Sequence, residues 1–458
     1  MASEDRELWI ASAKLEINEL EGHAVWIEVP RAQANGSRII PATWIFRIKR
    51  SPSGEIKRRK ARICLRGDSM EGITDTFAQV VSFTSVRTFS IFSLLLGWDK
   101  CSIDFSNAFV QAKRTDKVYM HVPRGFRPSK PDSVLLLRKS LYGAKDAPKL
   151  WADFLFTTLA ELGFKQSHFE ACMWYCKDIL IILYVDDCGI AYQSQKALDE
   201  FIDALRAKKF KLTVEESFNK FLGIQYTPTP DGSVECTQEG LISKIIAATG
   251  LENANPNKVP ASSDTLGIDP EGKPFDETWS YPSIVGMLLY LTSNTRPDIA
   301  FAVSQVARFN HSPKQSHAIA VKMIVRYLKG TRDKGTIVRK VDSLQLTVFC
   351  DADFAGLFRR DPESSLSSAK SRAGYIIKLS GCPLIWKSQL CSTLALSTAE
   401  SEYYSLSLAM MALLPIRNLL LEMIANLNVP DSFHTPTSSF AVTVFEDNQA
   451  ALNLATAQ

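Results

Sequence analysis

The sequence predicts an α+β protein built from several packed units. Its 458 residues exceed what one hydrophobic core organises, and 46% hydrophobic with 22% charged residues is ordinary for a folded chain. Short runs rich in β-branched residues alternate along the chain with helical stretches that begin near Ser, Thr or Pro. This mixed order of strands and helices is typical of α+β domains.

Residues 179–191 carry two adjacent acids, Asp186 and Asp187, between two apolar segments. Strand propensity on both sides predicts a tight β-hairpin with the acids at its tip. Neighbouring negative charges are costly unless a cation compensates them, so the pair is a candidate metal site. Because Asp-Asp is also common in surface turns, an ordinary turn is the alternative.

A third acid, Asp104, ends a predicted strand upstream, and we expect a helical turn capped by Ser106 or Asn107 to follow it. Together with the hairpin it would form an oxygen-rich cage suited to Mg²⁺ or Mn²⁺. Two such ions can activate a 3′-hydroxyl and stabilise a leaving pyrophosphate, which is polymerase chemistry. The alternative role of Asp104 is a helix N-cap, worth about 1 kcal/mol.

The net charge is only +4, but positive charge is concentrated near the N-terminus. Alternation over residues 44–49 predicts one strand of a hairpin whose turn is at 51–54. Its basic residues are opposed only by Glu55, and they are Arg47, Lys49, Arg50, Lys57, Arg58, Arg59, Lys60, Arg62 and Arg66. Such a hairpin can neutralise nucleic-acid phosphates. A solvated hairpin or a nuclear localisation signal are the alternatives.

Nine scattered cysteines without a paired CxxC arrangement predict reduced, buried thiols in an intracellular protein. The N-terminus has no signal-peptide pattern, and we expect a cytoplasmic or nuclear location. The apolar stretch 406–427 is interrupted by Pro415, Arg417 and Glu422. It therefore predicts a helix of a folded domain rather than a membrane span.

Six ordered segments resemble the reverse transcriptase of copia-type (Pseudoviridae) LTR retrotransposons. They are residues 60–67, 102–109, 118–126, 139–148, 184–187 and 221–224. The resemblance continues through 281–330 into a C-terminal RNase H-like segment, so it covers nearly the whole chain. It implies a right-hand polymerase fold, followed by an α/β RNase H-like domain.

The resemblance implies fingers at 1–100, a ferredoxin-like palm with fingers elements at 101–226, a thumb at 227–280, a connection at 281–342 and an RNase H-like domain at 343–458. Local patterns predict a helix after Pro148 and helices at 238–248, 282–294 and 317–328. They also predict one further strand over 220–226 and a capped helix start at 295–298.

By the same resemblance, Asp104 and Asp186 hold two Mg²⁺ (or Mn²⁺) ions and Asp187 supports them. The implied partners are an RNA template, a DNA primer, an RNA/DNA hybrid and dNTPs, with no membrane. Tyr184 would lie near the primer terminus, although a lone Tyr is more often an ordinary strand aromatic.

The remaining implied contacts concern the nucleotide and the primer. Phe109 would exclude a ribose 2′-hydroxyl, although spacing alone favours a core role. Lys60 and Arg62 would grip the triphosphate, with Arg66 as the alternative, and Tyr142 would lie beside the nucleotide. The primer grip would be Phe221, Leu222 and Gly223, for which the alternative is a plain strand with a bulge at Gly223.

Two departures from the family pattern affect activity. Asp146 stands in a segment near bound phosphate and is expected to weaken nucleotide or template contact. In the RNase H-like segment, Asp351, Glu400 and Asp447 match the catalytic positions, with helix caps and first-turn acids as their alternative roles. Only 11 residues, none acidic, follow Asp447. We therefore expect a shortened domain with weak metal binding and doubtful cleavage.

The sequence thus predicts an RNA-directed DNA polymerase with residual RNase H activity at most. The alternative is a non-catalytic relic or a domesticated nucleic-acid-binding protein, which the departures at Asp146 and the C-terminus favour. A palm-type nucleotidyl cyclase is disfavoured by the fingers motifs and the RNase H-like segment.

Overall fold

The N-terminal part of the chain forms a helix and a basic β-hairpin. The computed structural model describes residues 5–50, 55–340, 344–430 and 442–456. Its first elements are α1 (Arg6–Gly22), β1 (Trp26–Pro30), β2 (Ile39–Ile40), β3 (Ala42–Arg50), β4 (Ile56–Leu65) and α2 (Phe83–Leu95). Strands β3 and β4 pair antiparallel, as the alternation over 44–49 predicts. The turn predicted at 51–54 lies outside the described residues.

A six-stranded antiparallel sheet forms the centre of the molecule. The elements from here to residue 215 are β5 (Asp99–Phe105), β6 (Tyr119–Met120), β7 (Ser133–Leu137), α3 (Ala147–Glu161), β8 (Lys165–Gln166), β9 (Met173–Cys176), β10 (Ile179–Tyr184), β11 (Asp187–Tyr192), α4 (Gln195–Ala207) and β12 (Leu212–Glu215). The strand order is β12-β5-β11-β10-β9-β8. A smaller sheet has the order β1-β7-β6-β2. Strand β10 is apolar throughout because it lies in the main core, to which β5 contributes Cys101, Ile103 and Phe105.

Residues 220–338 form a second four-stranded sheet and a helical unit. The elements are β13 (Lys220–Phe221), β14 (Ile224–Pro228), β15 (Val234–Thr237), α5 (Glu239–Ala248), α6 (Tyr281–Asn294), α7 (Ala300–Ala307), α8 (Gln315–Gly330) and β16 (Thr336–Val338). The sheet order is β13-β14-β15-β16. One hydrophobic cluster contains Ile245, Leu288, Val303 and Val325 from the four helices. This packed unit therefore spans the boundary predicted at residue 280.

Two local predictions in this region are wrong. Residues 220–226 form two short strands joined by a turn at Leu222 and Gly223, where φ is +49° and +74°. Positive φ at both turn positions is the geometry of a two-residue hairpin, so the polypeptide reverses where one strand is predicted. The start at 295–298 is a 3₁₀ turn, Pro297–Ile299, without a side-chain cap. The helices predicted after Pro148, at 238–248, at 282–294 and at 317–328 are confirmed as α3, α5, α6 and α8.

The C-terminal part is a mixed sheet with a long helix. Its elements are β17 (Leu346–Asp353), β18 (Arg372–Leu379), β19 (Cys382–Leu390), α9 (Thr398–Asn426), β20 (Val442–Phe445) and α10 (Gln449–Thr456). The sheet order is β19-β18-β17-β20, with β20 parallel to β17. In the described ranges, α9 is the one helix long and apolar enough to cross a membrane by length and composition. It packs against β17 and β18, and its buried face includes Ala409, Leu413 and Leu420.

The C-terminal sheet is joined to the rest of the molecule through apolar and polar contacts. Buried residues of β17, β18 and α9 belong to the same hydrophobic cluster as the central sheet. Arg308, just after α7, forms an ion pair of 2.5 Å with the buried Asp361. Glu422 of α9 accepts a hydrogen bond of 2.5 Å from Ser167. These contacts fix the C-terminal sheet against both the central sheet and the helices.

Candidate active sites

The predicted Asp-Asp hairpin is confirmed as the connection between β10 and β11. Tyr184 pairs with Asp187, which leaves Val185 and Asp186 as the two turn residues. Val185 has a φ of +57°, which is unusual for a β-branched residue. Its carbonyl accepts a hydrogen bond of 2.6 Å from Nε1 of Trp151, a residue that is 1% exposed. A buried indole thus holds the turn that carries the acids.

Asp104 and Asp187 are directly opposite each other on the paired strands β5 and β11. Strand β5 continues to Phe105, one residue beyond the predicted end. A fourth acid that we did not predict, Glu215 of β12, lies on the same side and accepts a bond of 3.4 Å from Ser102. These acids line a cavity of about 410 Å³ that also contacts Lys49 and the turn at Leu222.

Two acids of this cavity, Asp104 and Asp187, have raised pKa values. Desolvation, then the charges of Asp186 and Glu215, raise the pKa of Asp104. Desolvation, then Asp186, Asp104 and Glu215, raise the pKa of Asp187 to about 6. Such a cluster is stabilised by a divalent cation, so its donor set fits Mg²⁺ or Mn²⁺.

The basic hairpin presents one charged face to these acids. By strand alternation, Lys49 and Arg47 of β3 lie on the same face as Arg58, Lys60 and Arg62 of β4. Lys49 lines the acidic cavity, and the charges of Lys60 and Lys49 oppose the rise of the Asp104 pKa. Desolvation, with Arg62 and Lys49, lowers the pKa of Lys60. The face therefore carries more positive charge than its acidic neighbours neutralise.

Arg62, Tyr142 and Phe109 form a stack beside the acids. The guanidinium carbon of Arg62 is 4.0 Å from the centre of the Tyr142 ring, and Phe109 meets that ring edge-on at 5.0 Å. Burial raises the pKa of Tyr142 to about 12, and the charges of Asp186 and Asp104 add to the rise. The structure thus brings these three predicted residues together. Arg66 instead pairs with Asp68 at 2.6 Å.

The predicted primer-grip residues form a second hairpin at the same cavity. Phe221 is 3% exposed and packs in the core, whereas the Leu222 carbonyl accepts a bond of 2.7 Å from the hydroxyl of Tyr290 on α6. A Cβ added at Gly223 would meet its nearest atom at 3.9 Å. Gly223 is therefore required for its positive φ rather than for close approach. Tyr184, at the end of β10, lies within electrostatic reach of Tyr290.

The helical turn expected after Asp104 is confirmed as a 3₁₀ helix, Ala108–Gln111, with Asn107 at its N-cap position. The Asn107 side chain makes no capping hydrogen bond, and Ser106 is not the cap. The weakening of nucleotide or template contact expected from Asp146 stays a prediction. Asp146 is buried and forms an ion pair with Arg114, which also pairs with Asp116 at 2.8 Å. The sequence could not reveal this, because Arg114 is 32 residues away along the chain.

A second acidic cluster lies at the C-terminal sheet. It contains Glu402 where the sequence analysis predicted Glu400. Potential ligand atoms of Asp351, Glu402 and Asp447 all lie within 4.8 Å of one another. Glu400 does not join them. Its amide donates to Ser397 Oγ at 3.1 Å, and its carboxylate accepts from the Leu396 amide at 2.6 Å. Glu400 is therefore a first-turn capping residue of α9, which is the alternative role considered for it.

Glu402 has the environment expected of a metal ligand. It is 7% exposed, and its Oε2 has no hydrogen-bond partner in the described structure. Desolvation, then Glu446, Asp351 and Asp447, raise its pKa to about 7. A buried carboxylate oxygen without a donor fits a hard cation. Periodicity identifies this residue, because Glu402 shares the buried face of α9 with Leu406, Ala409 and Leu413, whereas Glu400 does not.

Comparisons with known proteins agree with this geometry. The family model described as reverse transcriptase (RNA-dependent DNA polymerase) matches residues 25–263, just over half of the chain. The Pol polyprotein of the Arabidopsis thaliana transposon RE2 is 33% identical over 431 residues, covering 92% of this chain and 29% of that protein. The Nicotiana tabacum transposon TNT 1-94 Pol polyprotein is 30% identical over 393 residues, covering 82% of this chain and 28% of that protein.

Among solved structures, a foamy viral protease-reverse transcriptase in complex with dsDNA has the same fold. The TM-score is 0.50 at 14% identity, and the match covers 96% of this chain and 83% of that one. The chain spans less than a third of the length of the polyproteins RE2 and TNT 1-94. The chain belongs to the reverse transcriptase (RNA-dependent DNA polymerase) family, within its copia-type retrotransposon branch.

Proposed function

We propose that this chain extends a DNA primer on an RNA or DNA template by transferring nucleotides from dNTPs. The observation that carries the proposal is the single cavity in which Asp104 and Asp187 face the charged side of the β3–β4 hairpin. The acids can bind divalent ions, and the cations can bind a triphosphate. Together they suit the transfer of a nucleotide from a triphosphate to a hydroxyl. The family match supports the same reaction class.

Asp104 and Asp186 are the proposed metal ligands, with Asp187 in support. The raised pKa values of Asp104 and Asp187 favour binding of cations to this cluster. Two divalent ions would supply activation of the 3′-hydroxyl and stabilisation of the leaving pyrophosphate. The protein's own part is to keep these carboxylates on a rigid hairpin that Trp151 holds from beneath.

The nucleotide contacts follow from the stack beside the acids. Lys60 and Arg62 would bind the triphosphate, with the Arg62 guanidinium oriented by the Tyr142 ring. Phe109, packed edge-on against that ring, would exclude a ribose 2′-hydroxyl. Tyr184 would lie near the primer terminus, and the turn formed by Leu222 and Gly223, with Phe221 beneath it, would contact the primer.

The proposed layout places fingers at 1–100, a palm at 101–226 and an RNase H-like domain at 343–458. We treat 227–342 as one helical unit that serves as thumb and connection, because α5 to α8 share a hydrophobic cluster. The proposed partners are an RNA template, a DNA primer and their hybrid. A foamy viral relative in complex with dsDNA supports a nucleic-acid partner, and we propose a cytoplasmic or nuclear location.

Hybrid cleavage is a second proposed activity, favoured by the cluster of Asp351, Glu402 and Asp447. These residues would hold divalent ions for attack of water on an RNA phosphodiester. The alternative function is that of a non-catalytic nucleic-acid-binding protein.

Primer extension on poly(rA)/oligo(dT) with Mg²⁺ or Mn²⁺ tests the polymerase proposal. We expect wild-type protein to incorporate dTTP, and Asp186→Asn to lose at least about two orders of magnitude in rate. Asp178→Asn, in the turn before β10, is the matched control and should extend normally. Equal incorporation by wild type and Asp186→Asn, or none by either while duplex binding persists, would reject the proposal and favour the binding protein.

A further inference from the structure

The last carbonyl groups of α6 accept hydrogen bonds from two side chains outside this helix, one on α2 and one on β19. The last carbonyl groups of an α-helix have no partner within the helix. Here Trp386 of β19 donates to the Thr292 carbonyl at 2.7 Å. Arg87 of α2 donates to the carbonyls of Ser293 at 2.7 Å and Asn294 at 3.4 Å.

Arg87 also binds the C-terminal sheet directly. Its Nε donates to the Leu384 carbonyl at 2.6 Å, and its guanidinium carbon is 4.4 Å from the centre of the Trp386 ring. In the described parts of the chain it forms no ion pair with a carboxylate, and burial lowers its pKa to about 10. A cation without a matching acid is costly to bury, so backbone carbonyls and an indole face provide its stabilisation.

The helix end that Arg87 holds also contacts the turn at Leu222, which lines the cavity of the proposed polymerase site. Tyr290 lies in the last turns of α6, and its hydroxyl donates to the Leu222 carbonyl at 2.7 Å. Leu222 and Gly223 line the cavity that contains Asp104 and Asp187. Phe83 of α2 packs edge-on against Tyr290 at 5.5 Å. Helix α2 therefore supports Tyr290 by one direct contact and, through Arg87, by holding the helix end.

We propose that Arg87 is a positioning residue which, with Trp386, fixes the end of α6 so that Tyr290 holds the turn at Leu222 in place at the cavity. This inference rests on the proposed function for its effect on primer extension. It makes the C-terminal sheet part of the support for the polymerase site, because Leu384 and Trp386 complete the Arg87 contacts.

Hydrogen–deuterium exchange of the 220–226 segment tests the positioning without requiring activity. Arg87→Met keeps an unbranched side chain and removes the donors, whereas Tyr290→Phe removes one hydroxyl with little risk to folding. We expect both variants to speed exchange in this segment by roughly fivefold or more, as the loss of about 1 kcal/mol implies. Arg87→Lys should restore part of the protection.

Arg308→Met is the matched control, since Arg308 joins the same C-terminal unit through Asp361 but does not contact the end of α6. It should leave exchange at 220–226 unchanged. Unchanged exchange in Arg87→Met and Tyr290→Phe, or equal acceleration by Arg308→Met, would overturn the inference.

Steady-state kinetics give the second readout. Arg87→Met should raise KM for the primer–template roughly fivefold or more, with kcat and KM for dTTP within about twofold of wild type. A uniform fall in kcat with both KM values unchanged would contradict positioning of the primer. If the wild-type protein extends no primer, the proposed function fails, and the exchange data alone still decide whether Arg87 positions the turn.

Discussion

The carboxylates of Glu402 and Asp351 lie within 4.8 Å of each other, although one is on a helix and the other on a strand. Like charges at this distance repel strongly in a partly buried site. Desolvation by burial, then the charges of Glu446 and Asp351, raise the pKa of Glu402 to about 7. Glu400, two residues earlier, points its carboxylate to the amide of Leu396 instead.

The two glutamates should therefore respond differently to the same substitution. Glu402→Gln is expected to abolish Mn²⁺ binding at the C-terminal site and any hybrid cleavage. Glu400→Gln should retain both and lose on the order of 0.5–1 kcal/mol of stability, because Gln caps less well next to the helix dipole. Calorimetric Mn²⁺ titration of a background with Asp104→Asn and Asp186→Asn isolates this site. Loss of binding in Glu400→Gln but not in Glu402→Gln would reverse the assignment.

The same carboxylate makes stability depend on pH when no metal is added. The pKa of Glu402 is about 7 in the folded state and has an ordinary value of 4.5, so the folded protein binds the proton more tightly. The free energy of unfolding should therefore fall as pH rises between these values, by on the order of 1–3 kcal/mol, and level off above about pH 7. The facing groups Asp351, Glu446 and Asp447 are all acidic, so none reverses this sign.

Urea unfolding in EDTA at several pH values measures this effect as the difference between wild type and Glu402→Gln. The difference cancels contributions from other titrating groups, including Asp187. We expect Glu402→Gln to be the more stable protein near pH 8 and to lose that advantage near pH 5. A difference that does not change with pH would contradict the raised pKa.

The comparison of Glu400 with Glu402 also indicates which site residues can be predicted from the sequence. The sequence locates strand ends and helix starts to within a residue or two. That precision was enough to locate Asp104, Asp351 and Asp447 at or near the ends of their strands. The choice between two glutamates on one helix depends on which face is buried, and that requires the periodicity over several turns of α9. The environment of Asp146 depends on its ion pair with Arg114, 32 residues away along the sequence, and no local pattern identifies that partner.

Sugar selection tests the role of Phe109. The ring packs edge-on against Tyr142 at 5.0 Å, so truncation opens space beside the stack. Phe109→Ala is expected to raise the relative use of rNTPs over dNTPs by roughly tenfold or more, since the loss of a steric contact changes discrimination by about 1–3 kcal/mol. Single-nucleotide extension with dTTP and with UTP measures the ratio. Phe105→Leu, in the core beneath, should leave the ratio unchanged, and an unaltered ratio in Phe109→Ala would refute the steric role.

Nucleotide affinity tests the stack of Arg62 on Tyr142. Lysine preserves the charge of Arg62 but loses the planar contact at 4.0 Å, which is worth about 0.5–2 kcal/mol. Arg62→Lys should therefore raise KM for dTTP roughly two- to thirtyfold. Arg66→Lys is the control, because Arg66 pairs with Asp68 and lies outside the stack. The assignment fails if the two substitutions raise KM equally.

Trp151 offers the sharpest test of how the acidic turn is held. Its indole N–H donates to Val185 at 2.6 Å, and its ring packs against Phe105 at 5.2 Å and Phe210 at 6.0 Å. Trp151→Phe keeps an aromatic ring but leaves the carbonyl of a strained turn residue without its donor, a loss of about 1 kcal/mol. Because Asp186 follows Val185 directly, we expect a fall in kcat of roughly fivefold or more with KM for dTTP little changed.

The control for this prediction is Trp174→Phe. Trp174 is equally part of the core, but its Nε1 has no hydrogen-bond partner among the described residues. Both substitutions remove similar volume from the same cluster, so they should destabilise the fold to a similar extent. Only Trp151→Phe should lower kcat, because only the Trp151 N–H reaches the turn that carries Asp186, a proposed metal ligand. An equal fall in kcat in both variants would mean that core volume, rather than the hydrogen bond to Val185, sets the position of Asp186.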